Sequence, residues 1–109
     1  MKVDIREQGK ATIVAVAGEV DLQTSPTLRA ALIESLKANT ALVVDLGAVD
    51  YIDSSGITSL LEALKLAKEK KVGFTLAQVS PGAMRVIQLG RLDKVFTITN
   101  SVDAALEDR

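Results

Sequence analysis

The sequence predicts an α/β fold: one domain with a mixed, mostly parallel sheet of about four or five strands, an N-terminal hairpin and about four helices. Three observations predict it. Apolar and polar residues alternate around a turn signal at the start of the chain. Amphipathic helical stretches then alternate with short apolar runs. No linker, repeat or low-complexity segment interrupts the 109 residues, which suffice for one compact domain (1–109) and not for two.

Val3 and Ile5 alternate with Lys2, Asp4 and Arg6, the pattern of a half-buried strand. Gln8-Gly9-Lys10 is a turn, and Ala11 to Ala17 reads as the returning strand of a hairpin. Gly18-Glu19-Val20-Asp21 should end it. A helix is expected near Ser25-Pro26, because serine caps well and proline suits the first helical position. Leu28, Leu32 and Leu36 give that helix an apolar stripe, with an end near Asn39. The nearly continuous apolar run Ala41 to Leu46 suits a central strand buried on both faces.

A second helix is expected from about Ser54 to Lys71 and a strand over Val72 to Ala77. Ser80-Pro81 should start a third helix that Gly90 ends, and Lys94 to Thr99 reads as a short last strand. Ser101 caps a final short helix, whose Glu107 and Asp108 stand at the wrong end for its dipole. Short connections between alternating strands and helices imply parallel neighbours joined by right-handed crossovers.

Composition excludes several functions. Hydrophobic residues make up 48% and charged residues 25%, the balance of a globular protein, and the net charge of −1 disfavours nucleic acid as a partner. Without cysteine there are no disulfides or thiolate metal sites. Without histidine the commonest general base and metal ligand is gone, and a Ser-His-Asp arrangement is impossible. Phosphate-cradling glycine loops are missing. Asp21, Asp45, Asp50 and Asp53 do not follow calcium-loop spacing. The sequence therefore implies no cofactor and no catalysis of its own. The N-terminal MKVDIREQGK has no apolar core, and no apolar run reaches membrane-spanning length, so no membrane insertion is expected and a cytoplasmic location is the default.

One stretch stands apart. In Tyr51-Ile52-Asp53-Ser54-Ser55-Gly56-Ile57, an aspartate and two serines open the second helix, where their oxygens can accept bonds from the free N–H groups of the first turn. Gly56 is costly there, by about 0.5–1 kcal/mol against alanine, which suggests that something approaches closely. On a helical wheel Ile57, Leu60, Leu61 and Leu64 form the core stripe. Ser55, Ser59 and Glu62 fall on the opposite side, joined by Leu66, which reads either as an ordinary surface hydrophobe or as a partner anchor.

Gly18-Glu19-Val20-Asp21 with Thr24 nearby, the Leu42 to Leu46 strand, Asp53-Ser54-Ser55-Gly56 and the later Leu92-Asp93-Lys94-Val95-Phe96 together resemble the STAS domain of bacterial anti-sigma factor antagonists. The resemblance runs from about residue 3 to 107. It implies a STAS-like fold and a regulatory switch that is not an enzyme. Such a switch binds an anti-sigma factor, often a serine kinase, and so frees a sigma factor. The resemblance also implies phosphorylation of the serine after the motif aspartate, here Ser54, which blocks binding, and its reversal by a metal-dependent serine phosphatase. Asp21 would make a polar contact to the partner.

The expected partner-binding residues are Glu19, Asp21 and Thr24 on the first loop and Asp53, Ser55 and Gly56 around the serines. Thr58, Ser59, Glu62 and Leu66 extend the set along the helix. Two departures stand out: Thr58 occupies a position that is commonly glycine, and Gly90-Arg91-Leu92 replaces a usual Thr-Gly-Leu. Two other readings compete. One is a STAS interaction subunit of a larger assembly, such as a lipid-transport complex, with no phosphorylation. The other is nucleotide binding at the Ser54 helix terminus, disfavoured by the acidic neighbours.

Overall fold

The computed structural model describes residues 1–37 and 41–107. Five strands, β1 (Lys2–Gln8), β2 (Ala11–Val20), β3 (Ala41–Ile52), β4 (Gly73–Ala77) and β5 (Thr97–Thr99), form one sheet in the order β1-β2-β3-β4-β5. The β1–β2 hairpin is antiparallel and every later pairing is parallel. The helices are α1 (Ser25–Ser35), α2 (Ser54–Lys70), α3 (Pro81–Leu89) and α4 (Val102–Glu107), with a 3-10 turn at Leu92–Lys94.

The strand order advances in one direction from β2 to β5, so crossovers of one hand place α1, α2 and α3 on the same face. Leu28 and Leu32 of α1, Leu60 and Leu64 of α2 and Ile87 of α3 share one aliphatic core with Val14, Val44 and Leu76 of the sheet. On the opposite face α4 lays Val102 and Ala105 over Ile13, Val43 and Ala77. Ile13 and Val43 therefore serve one layer while Val14 and Val44 serve the other, as a strand buried on both sides requires.

Several boundaries differ from expectation. β2 continues to Val20 and β3 to Ile52, well past Ala17 and Leu46. At register shifts between Ala15 and Ala17 and between Gly18 and Glu19, β3 carries one residue more than β2, which breaks the period-2 pattern of β3 without ending the strand. Gly18 stands at the second shift with φ of +92°, a conformation side chains rarely adopt. Of the expected strand over 94–99, only Thr97–Thr99 pairs, because the chain first makes the 3-10 turn. α1 gives way to a turn at Leu36, and Asn39, like Asp108, lies outside the described residues.

The expected cap of α1 also moves. Ser25 is the first helical residue and is buried, while the cap position belongs to Thr24. Ser80 caps α3 through a bond from the Ala83 amide, and Ser101 caps α4 through the Ala104 amide.

Candidate functional site

The site lies where the ends of β2 and β3 feed α1 and α2. Asp53 leaves β3 in extended conformation and caps α2, with Oδ1 accepting from the amides of Ser55 at 2.9 Å and Gly56 at 3.3 Å. The Ser55 hydroxyl donates to the same oxygen at 2.5 Å. That bond lowers the Asp53 pKa from its ordinary 3.8; partial burial opposes it, and the Gly56, Ser55 and Leu22 amides add to it. The Asp53 amide donates to the Val20 carbonyl at 3.0 Å, which pins the start of α2 to the end of β2.

Gly56 explains the close packing. A Cβ there would lie 2.6 Å from Ile52 Cγ1, 2.7 Å from Val20 Cγ1 and 2.9 Å from Ile52 Cδ1. The close approach inferred from the sequence is thus made by two core side chains, and no phosphate or foreign backbone is needed to account for the glycine. Because Gly56 seats the helix directly on the strand ends, Ser54 emerges at the rim.

Ser54 is exposed, and its hydroxyl makes no hydrogen bond among the described residues. Ser55 is half-buried and committed to Asp53. The wheel turns Ser55 toward solvent, but among the described residues it is Ser54 whose hydroxyl stays free, while Asp53 is the cap.

The first loop is organised by Asp21. Its Oδ1 accepts from the Gln23 and Thr24 amides, both at 3.0 Å, and from the Thr24 hydroxyl at 3.1 Å. Thr24 Oγ1 in turn accepts from the Asp21 amide at 2.9 Å and stands 3.1 Å from the Glu19 carbonyl. Asp21 and Thr24 therefore build the loop on which Leu22 projects, 76% exposed. Sequence reasoning passed over Leu22; a leucine between the motif aspartate and Gln23, in a segment with no core periodicity, was the available signal.

Between α1 and α2 runs a groove of about 380 Å³, lined by Ser25, Pro26, Arg29, Ser55, Thr58, Ser59 and Glu62. Arg29 reaches across it to Glu62 at 2.6 Å, with both side chains about half exposed. The Thr58 hydroxyl donates to the Ser54 carbonyl at 2.8 Å and so stays on the helix surface. Arg29 was not singled out from the sequence, since its partner lies 33 residues away.

Three candidates need correction. Ser59 is only 5% exposed and turns its hydroxyl toward the Ser55 carbonyl at 3.1 Å and the Ser25 carbonyl at 3.4 Å, because α1 packs along that side of α2. It forms the groove's floor and is no free surface group. Leu66 is half-buried and packed against the main core, about 18 Å along the helix from Ser54 at 1.5 Å per residue. It is neither exposed nor gathered with the other candidates. Gly56, also expected at a partner surface, is buried beneath Val20 and Ile52. Glu19, Asp21, Thr24, Asp53, Ser55, Thr58 and Glu62 are brought together around Ser54 and the groove.

The family model for the STAS domain matches residues 2–105. The chain belongs to the STAS family. Among its relatives is the Mycobacterium tuberculosis protein named anti-sigma-F factor antagonist RsfB, 31% identical over 105 residues that cover 95% of this chain and 85% of the relative. A crystal structure of an anti-sigma factor antagonist from Mycobacterium paratuberculosis superposes with a TM-score of 0.90 at 30% identity, covering 98% of this chain and 92% of that one. The phosphorylated form of the Bacillus cell fate determinant SpoIIAA shares the fold, with a TM-score of 0.76 at 18% identity and coverage of 99% and 100%. Among the described residues of this STAS domain, no helix is long and apolar enough to cross a membrane.

Proposed function

We propose that this STAS domain is a phosphorylation-controlled anti-sigma factor antagonist that acts by exchanging partners and not by catalysis. In its unmodified form it binds an anti-sigma factor that is also a serine kinase, and so releases a sigma factor. The kinase phosphorylates Ser54, and a metal-dependent serine phosphatase restores it. The cycle takes place in the cytoplasm. One observation carries the reading: Ser54 presents an exposed hydroxyl, unbonded among the described residues, at the start of α2, flanked by the α1–α2 groove. RsfB, named as an antagonist, and SpoIIAA, solved in a phosphorylated form, support it.

Exclusion is electrostatic and steric. A phosphoserine adds about −1.5 to −2 charges at pH 7. The helix terminus tolerates an anion, but Asp53 already occupies two first-turn amides, so the phosphate adds to a carboxylate next door. Against a partner carboxylate about 6 Å away, the repulsion is about 1 to 4 kcal/mol. Binding weakens about fivefold to a thousandfold. The fold persists, because the Ser54 side chain holds nothing in place.

Incubation with candidate kinases and ATP, followed by mass spectrometry of the modified peptide, tests the reading. Phosphate on Ser54 is expected. Phosphate on Ser55 alone, or on neither serine with every kinase-type anti-sigma factor of the same genome, would overturn it and favour a constitutive interaction subunit.

A further inference from the structure

We propose that β1 is a homodimerisation strand: two copies of this chain join edge to edge through Lys2–Gln8, antiparallel and centred on Ile5. Among the described residues β1 is an edge strand paired with β2 alone, and it has seven residues, against three in the opposite edge strand β5. A strand edge of this length carries a row of backbone donors and acceptors open to a partner strand. Ile5, at its centre, is 51% exposed on the face shared with Val14.

The partner is argued from charge complementarity and symmetry. When a two-fold axis stands perpendicular to a continuous sheet, facing residues must share a face, so only every second register is allowed. With the axis at Asp4, that residue meets its own copy and Lys2 meets Arg6. With the axis at Arg6, two arginines meet. With the axis at Ile5, Asp4 faces Arg6 twice, Ile5 packs on Ile5, and Lys2 faces Gln8. Of the three central registers, this one alone sets no like charges opposite, and cross-strand pairs are where sheet pairing is decided. Asp4 and Arg6 are both exposed, and neither has an ion-pair partner among the described residues. No residue lining the α1–α2 groove lies on β1, so dimerisation and Ser54 modification are separable.

Sedimentation velocity on the full chain, from about 10 μM to about 1 mM, spans the range of a small edge interface. Wild type should pass from monomer to dimer with concentration. Asp4→Arg and Arg6→Asp should each weaken dimerisation at least tenfold, because by symmetry one substitution turns two attractions into two repulsions. An equimolar mixture of the two variants should dimerise again, since both pairs between positions 4 and 6 are then opposite in charge. That recovery also shows that both variants are folded. Wild type that stays monomeric throughout, variants that dimerise as well as wild type, or a mixture that remains monomeric would each overturn the proposal.

Discussion

Replacing Gly56 by alanine tests how α2 is seated. In an isolated helix the change would stabilise by about 0.5–1 kcal/mol, the cost that glycine carries against alanine. Here the new Cβ falls within 3.0 Å of three atoms belonging to Ile52 and Val20, both fully buried, at the ends of two central strands. Neither side chain is a flexible surface group that can swing away. Overpacking of this kind costs about 1–3 kcal/mol, and with three contacts under 3.0 Å the upper half of that range applies, so after the helix gain the net loss should be about 1–2.5 kcal/mol, or about 5–15 °C in melting temperature. Gly90→Ala is the internal control. Gly90 caps α3 at φ −86°, its added Cβ would meet Leu92 at an ordinary 3.5 Å, and the change should be neutral or stabilising by up to about 1 kcal/mol. Urea and thermal unfolding of both variants decide the matter. If Gly56→Ala were as stable as wild type, Gly56 would not be what seats the helix on the strand ends, and the placement of Ser54 would need another cause.

Three further outcomes follow from the same geometry. The folded-state pKa of Asp53 is depressed, so its contribution is fully present above about 3.8 and is lost as pH falls through the lower folded value. Asp53→Asn should therefore flatten the acid limb of a stability-against-pH curve in that window and leave its neutral limb parallel to wild type. Arg29 and Glu62 form an exposed bridge, so a double-mutant cycle should give a coupling below about 1 kcal/mol that shrinks with salt. Thr58→Ala should be neutral or slightly stabilising in unfolding experiments, and Thr58→Gly should be about 1 kcal/mol less stable than Thr58→Ala, because helix propensity outweighs the exposed bond to the Ser54 carbonyl.

The order and type of the main elements were legible because each carries a local signal: alternation in β1, caps at Ser80 and Ser101, and continuous apolar residues in β3. The ends of β2 and β3 were not, since bulges beside Gly18 break the period that marks a strand. The helical wheel located Ile57, Leu60 and Leu64 correctly but assumed one buried face. α1 buries a second side, which hides Ser59, and Leu66 packs inward on the main core. The Arg29–Glu62 bridge joins residues distant in sequence, so no local pattern announces it. The Asp53-Ser54-Ser55-Gly56 stretch was legible as a helix start. Which serine stays free depended on a single contact, the Ser55 hydroxyl on Asp53.

The most direct measurement compares the affinity of unmodified and Ser54-phosphorylated protein for the proposed partner, a kinase-type anti-sigma factor. The phosphoprotein should bind about fivefold to a thousandfold more weakly while keeping an unchanged melting temperature. Equal affinity of the two forms would contradict the switch, whatever residue the kinase modifies.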